Sequence, residues 1–403
     1  MFKPAAKIVA GFILIFFAYF LGFYHGQTSA PAIEKISGIT GKEDQISSVD
    51  FSIFWETWKS IEDKYVGRQK LDRQKMIYEA VKGLVKSTGD PYSTFFTPDE
   101  SKMLEEDISG SFSGIGAEIG FKKETLTVIA PLKDSPAEKS GILAGDQILK
   151  VDDKSTQDMA LEEAVSHIRG EKGTTVSLSV FREGFSEAKE FKITRDVIKV
   201  PTIDLEMKDG IAYIKLYNFI GNIEREFRQT AVQAAKNKPK GIVLDLRNNP
   251  GGFLEAAIDI AGYFLPKGEV VAIEDFGNGE GENEFRSKGY KNFENAPLVV
   301  LINNGSASAS EILAGAVKGR EKIKLVGETT FGKGSVQEVI SMSNGTSLKV
   351  SVARWLTPSG QSIQDSGIEP DVKVEMKKED IENNKDPQLD KAMETISKMI
   401  NDK

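Results

Sequence analysis

The chain of 403 residues carries 52 Lys and Arg against 60 Asp and Glu, a net charge of −8, with no cysteine and two histidines, His25 and His167. The absence of thiols excludes a disulfide framework, a thiolate zinc site, an iron–sulfur cluster and a cysteine nucleophile. Histidine at only two unfavourable positions nearly excludes a Ser-His-Asp triad or a HEXXH zinc site. Acid–base chemistry therefore falls to Lys, Asp, Glu or Tyr, and the acidic balance argues against nucleic acid as a partner.

In chain order, Ile8 to Tyr24 is uncharged and almost wholly apolar, with Lys3 and Lys7 before it. As a helix it would span about 26 Å, enough for a hydrocarbon core of roughly 30 Å. Residues 1–29 thus read as a transmembrane anchor, or as a signal peptide with a weak cleavage site at Thr28-Ser29-Ala30. The lysines place the remainder outside the cytoplasm, on the periplasmic or cell-surface side. Residues 30–50 read as a linker.

From 51 to 108 the spacing of Phe54, Trp58, Ile61 and Tyr65 predicts helices. They flank DPYSTFFTPDE (Asp90 to Glu100), in which Pro98, Asp99 and Glu100 mark a helix start. Residues 109–196 predict a compact β-rich domain with one clear helix, MALEEAVSHIRG. Over 197–377 strands alternate with helices, the pattern of a parallel α/β sheet, and 378–403 ends in an amphipathic helix. The aromatic and apolar residues around Trp55, Trp58 and Met393 suit either the core or a contact with a second copy of the chain.

Four stretches can carry chemistry. In VLINNGSASASE (Val300 to Glu311) a buried strand leads through Gly305 into small hydroxyl residues at a helix mouth. That is the geometry of a nucleophile elbow, although the same residues also suit capping and close packing. VGETTFGKGSVQEV (Val326 to Val339) approximates a phosphate-binding loop, but Gly334 stands where Ser or Thr is required and a strand-like run follows instead of a helix. Lys333 can alternatively act as a general base. At pH 7 an ordinary lysine is neutral only about once in 2,500, so its pKa must fall by roughly three units, about 4 kcal/mol, which burial can supply.

DLRNNPGGF (Asp245 to Phe253) presents two glycines between a buried strand and a helix, a source of oxyanion-binding N–H groups at the same sheet edge as the serines. SGIGAEIG (Ser113 to Gly120) is followed by a strand, not by the helix a dinucleotide site requires. It suits capture of a terminal carboxylate by the N–H groups of Ile115, Gly116 and Ala117, with a peptide added as a strand.

The order and spacing of DPYSTFFTPDE, SGIGAEIG, SPAEKSGILAGDQIL, DLRNNPGG, GSASASEI and FGKGSVQ resemble the C-terminal processing peptidases, or tail-specific proteases, over about Phe51 to Asp371. The resemblance implies a multidomain α/β protein with a PDZ-like domain and a ClpP/crotonase-like peptidase domain. It implies Ser308 as nucleophile, Lys333 as base and Gln337 orienting the amine, with an oxyanion hole from Ala309 and Gly251 or Gly252. On a straight strand, residues 333 and 337 would stand about 13 Å apart, so that role for Gln337 requires the chain to turn. The implied activity is an endopeptidase, without metal or cofactor, acting on proteins with free C-termini. Arg169, after the PDZ helix, is a candidate substrate sensor, with a solvated arginine as the alternative. A non-catalytic PDZ scaffold that binds peptide tails is the competing function.

Overall fold

The computed structural model describes residues 50–401 apart from 123–124, 133, 158, 160, 183, 278, 294, 378, 381–382 and 384. The expected anchor and all of the linker except Asp50 lie outside the described residues. Among the described residues no helix is long and apolar enough to cross a membrane.

The chain divides into two compact units at Met76/Ile77. In the first, α1 (Ser52–Lys64) has the expected helical spacing but buries none of its residues. Phe54, Trp55 and Trp58 instead lie against one another along the helix, with ring centroids 5.0 to 6.4 Å apart. Helix α2 (Arg73–Lys86) spans the boundary.

The second unit opens with β1 (Thr94–Phe96) and α3 (Pro98–Ser109). The start of α3 is a capping box. The Thr97 N–H donates to Glu100 Oε2 at 2.8 Å, the Glu100 N–H donates back to the Thr97 hydroxyl, and Pro98 occupies the first helical position, where no N–H is needed. Strand β1 pairs with Ser347 to Lys349, so the DPYSTFF stretch completes a distant sheet, not a separate helical region.

The β-rich domain follows: β2 (Ser111–Gly114), β3 (Ala117–Lys122), β4 (Thr125–Pro131), α4 (Pro136–Lys139), β5 (Gln147–Val151), β6 (Lys154–Ser155), α5 (Leu161–Ile168), β7 (Thr175–Phe181), β8 (Lys189–Thr194) and β9 (Asp196–Lys199). Its main sheet has the order β3-β4-β5-β7-β8, which leaves β3 at an edge. Alternating residues Val176, Leu178 and Val180 are fully buried on one face, as period-two patterning demands. Pairing of β2 with β9 closes the module where the chain enters and leaves it.

The α/β domain contains β10 (Ile203–Lys208), β11 (Ile211–Leu216), α6 (Ile223–Lys236), β12 (Gly241–Asp245), α7 (Leu254–Ala261), β13 (Val270–Asp275), β14 (Glu282–Arg286), β15 (Leu298–Ile302), α8 (Ala309–Val317), β16 (Ile323–Gly327), β17 (Ser335–Ser341), β18 (Ser347–Leu356), β19 (Val372–Lys373) and α9 (Pro387–Asn401). One sheet has the order β10-β11-β12-β15-β16-β19, parallel except for β10. Its central strands β12 and β15 are apolar except for Asp245 at the end of β12, because both faces are covered. Ile242, Leu244, Val300 and Ile302 face the core shared with α6, α7 and α8, while Val243, Val299 and Leu301 face Ala392 and Ile396 of α9. The terminal helix therefore belongs to the core on this side. A second, antiparallel sheet joins β1, β18, β13 and β14, with β17 on β18.

Candidate active site

The loops after β12, β15 and β16 meet at the carboxyl end of the parallel sheet. Ser308 precedes α8 with φ 54° and ψ −115°, a backbone state that a residue with a Cβ adopts only under constraint. The constraint is visible. The Ser308 N–H donates to Glu311 Oε2 at 2.9 Å, and the Ala307 N–H donates to the Asn249 carbonyl at 3.0 Å. The neighbouring serines are structural: Ser306 Oγ donates to the Leu246 carbonyl and Ser310 Oγ to the Asn249 carbonyl, both within the core. Ser308 instead lines a cavity of about 470 Å³ walled by Phe276, Phe285, Ile312, Val352 and Trp355.

The expected oxyanion loop packs directly on this serine. A Cβ on Gly251 would lie 2.6 Å from the Ala307 carbonyl oxygen and 2.8 Å from Ser308 Cβ, so only glycine fits. The Gly251 N–H is already committed to Asn249 Oδ1 at 2.9 Å. The Gly252 and Ala309 N–H groups have no acceptor among the described residues, so this pair, and not Gly251, is free to donate. Gly251 contributes closeness instead.

Lys333 is half-buried between Gly332 and Gly334, whose hydrogen positions abut the backbone of Asp365 and Gln364. Its ammonium lies 5.4 Å from the centre of the Tyr92 ring, a cation–π contact supplied by the DPYSTFF stretch. Burial and the nearby Lys349 ammonium lower its pKa below the ordinary lysine value, against the opposing pull of Glu311 and Asp90. Burial and the neighbouring cation therefore both favour the neutral amine a base requires.

No hydrogen bond joins the Ser308 and Lys333 side chains. The Gln337 amide donates to the carbonyl and hydroxyl of Ser335, at 3.0 and 2.6 Å, and not to Lys333. Residues 335–337 lie in β17, an extended stretch with a bulge between Val336 and Gln337. The turn needed for Gln337 to orient the amine is therefore missing in this arrangement.

Three contributors were not legible in advance: Tyr92, Lys349 and above all Glu311. The Glu311 carboxylate is fully buried and accepts from Ser308 N–H, Thr330 Oγ1 at 2.6 Å, Gly332 N–H at 2.7 Å and Lys333 N–H at 3.0 Å. Its position three residues after Ser308, in the first turn of an otherwise apolar helix, was the available signal.

In the β-rich domain, Gly116 joins β2 to β3 with φ 72°, and a Cβ there would lie 2.6 Å from Ser135 Cβ. The Ile115 and Gly116 carbonyls accept from Ala137 and Leu132, while the Ile115 and Gly116 N–H groups have no acceptor among the described residues. Ala117 begins the edge strand β3. Arg169 is not the solvated residue considered above. It is ion-paired with Asp107 of α3 at 2.8 Å, lies 4.4 Å from the Phe112 ring centre, and its side chain is 18% exposed. Among the described residues no group of His, Asp and Glu is arranged to hold a metal ion.

Residues 210–374 match the profile of peptidase family S41, and residues 103–181 match that of the PDZ domain. The chain is 42% identical over 309 residues to the carboxy-terminal processing protease CtpA of Bacillus subtilis, covering 76% of this chain and 66% of that relative. It is 36% identical over 354 residues to a carboxy-terminal-processing protease of Bartonella bacilliformis, covering 86% of this chain and 80% of the relative. Among solved structures, the photosystem II D1 C-terminal processing protease superposes with a TM-score of 0.53 at 28% identity, over 80% of this chain and 92% of that one.

Proposed function

Because the chain belongs to peptidase family S41, we propose that it is a serine endopeptidase acting on the C-terminal tails of proteins through Ser308 and Lys333. The observation that carries this reading is that Ser308 and Gly252 line one cavity, the Gly252 N–H being unpaired, with the unpaired Ala309 N–H next to Ser308 in the chain. Such donors are needed where an oxyanion develops and are costly to leave unpaired otherwise.

In the proposed sequence the tail's carboxylate is held by the N–H groups of Ile115, Gly116 and Ala117, and the tail pairs with the free edge of β3. Lys333, swung from the Tyr92 face, accepts the Ser308 proton as Oγ attacks the scissile carbonyl. The oxyanion is held by Gly252 and Ala309. Lys333 then passes its proton to the leaving amine; neutral again, it deprotonates the water that attacks the acyl group and returns the proton to Ser308 Oγ as the acid leaves. Realignment of Gln337 towards Lys333 belongs to that step. The ion pair of Arg169 with Asp107 of α3 supports a role for Arg169 in relaying tail binding from the PDZ domain. Lys3, Lys7 and the apolar run after them support anchoring in the membrane with the enzyme outside the cytoplasm. The exposed apolar residues of α1 suit self-association.

The test is to incubate the protein with an unfolded substrate whose C-terminus is free or amidated. The free form is expected to be cleaved and the amidated form spared. Ser308→Ala and Lys333→Ala are each expected to abolish cleavage. Equal cleavage of both substrates overturns tail recognition, and full activity of either variant overturns the dyad.

A further inference from the structure

Two of the loops at the active site are tied to the far end of the chain. Arg247 stands at the entrance of the loop that carries Gly251 and Gly252, and all five of its N–H donors are occupied. Nε donates to Asp245 Oδ1 at 3.0 Å and Nη2 to Asp245 Oδ2 at 2.7 Å. Nη1 and Nη2 also donate to the two oxygens of Asp386 at 2.7 and 2.8 Å, and Nη1 to Gln388 Oε1 at 3.2 Å. Asp386 caps α9 by accepting from Leu389 N–H at 2.9 Å, and Gln388 lies in its first turn.

Gln388 is 1% exposed, and its amide reaches the other loop. Nε2 donates to Glu328 Oε2 at 3.1 Å and to the Val374 carbonyl at 2.9 Å. Glu328 opens the loop that leads to Lys333, and its own N–H is bonded to Ile302 at the end of β15. Docking of α9 does not require this polar cluster, because Ala392 and Ile396 already bury its apolar face. What the cluster adds is a fixed separation between the two loops.

We propose that the first turn of α9 is a clamp shared by the oxyanion loop and the lysine loop, with Arg247, Asp386 and Gln388 as positioning residues for catalysis. The inference rests on the function proposed above. A buried guanidinium that loses one partner must find another, and the loop carrying it shifts to do so. Displacement by about 1 Å in such a constellation costs on the order of 100-fold in rate.

The test compares the full chain with Gln388→Leu, which keeps the side-chain volume, with Asp386→Asn, and with Glu394→Gln as a control on the exposed part of the same helix. For Gln388→Leu, kcat on a quenched-fluorescence peptide is expected to fall at least tenfold with KM within twofold, while Glu394→Gln stays within twofold of the parent on both. Amide hydrogen exchange of 248–252 and 328–334 is expected to rise at least tenfold in Gln388→Leu without a matching rise in β12 or β16. Unchanged exchange in both loops overturns the clamp whether or not the parent cleaves peptide. An inactive parent overturns the proposed function alone, and the exchange measurement still decides the clamp. If Asp386→Asn fails to fold, Gln388→Leu carries the test.

Discussion

The backbone amides of Ser308 and Lys333, 25 positions apart in sequence, donate to one carboxylate oxygen, Oε2 of Glu311, at 2.9 and 3.0 Å. The other oxygen holds Thr330 and Gly332. The two residues expected to react are thus referenced to a single buried atom, even though no hydrogen bond joins their side chains.

Replacing Glu311 by Gln puts an NH₂ where one oxygen accepted two N–H or O–H groups. Buried donors left unpaired cost about 1–3 kcal/mol each. Glu311→Gln is expected to lose at least about 2 kcal/mol of stability by that arithmetic, measured by urea unfolding, and most of its peptidase activity.

At Gly251, a single methyl would meet the Ala307 carbonyl and Ser308 Cβ at 2.6 and 2.8 Å, on a backbone with φ 97°. Gly251→Ala is expected to displace the serine or the oxyanion donors. Loss of one such donor costs about 10²–10³ in kcat. Steady-state kinetics against the parent check this, with KM expected to change little.

The Lys333 pKa is lowered first by burial and next by Lys349, whose ammonium lies 5.6 Å from the Phe96 ring centre. Removing a neighbouring cation raises the pKa of the remaining one. For Lys349→Gln the acidic limb of the kcat/KM profile, where Lys333 becomes protonated, is therefore expected to move to higher pH, whereas Lys349→Arg leaves it in place. An unmoved limb in Lys349→Gln would show that Lys349 does not set the charge state of the base.

Burial pushes the Asp386 carboxyl up, but hydrogen bonds from Arg247 and from the Leu389 and Gln388 backbone outweigh it and hold the pKa below the ordinary value. A carboxyl depressed on folding contributes stability that is present above the unfolded value of about 3.9 and lost as pH falls through the lower folded value. The hold of Arg247 on the first turn of α9 is thus expected to persist to pH 4 and weaken below it. Asp386→Asn is expected to flatten that acid dependence, read by hydrogen exchange across α9 between pH 5 and pH 2.5.

In the PDZ domain, Gly116→Ala places a Cβ against Ser135 at a backbone φ of 72°. It is expected to raise KM for a tail-bearing protein while leaving cleavage of a short peptide within about twofold. Equal effects on both substrates would remove the carboxylate loop from recognition.

Local chemistry made a large part of this molecule legible. The apolar GIVL and LVVLI runs announced buried strands, Pro98 with Asp99 and Glu100 announced a helix start, and the glycines at 251, 252 and 116 marked turns. The missing histidines turned attention to Lys333. Other features were invisible because they join residues far apart in the chain. Nothing near Asp90 tells that β1 will pair with β18, or that Tyr92 will lie against Lys333. Nothing in PQLDKAMETISKMI tells that Gln388 will bridge Arg247 and Glu328.

The resemblance in motif order implied Ser308 and Lys333; composition and patterning by themselves excluded thiol chemistry, nearly excluded a histidine triad, left Ser-Lys open and predicted a parallel sheet. The latter depend only on which functional groups exist and how strands alternate with helices. Tertiary structure alone decided that Gly252 is the free donor while Gly251 is the close neighbour. It likewise decided that Gln337 faces Ser335, that Arg169 is ion-paired, and that Glu311 and α9 hold the loops. Each of these is a choice of hydrogen-bond partner, and a buried polar group takes its partner from whatever packing brings within about 3 Å.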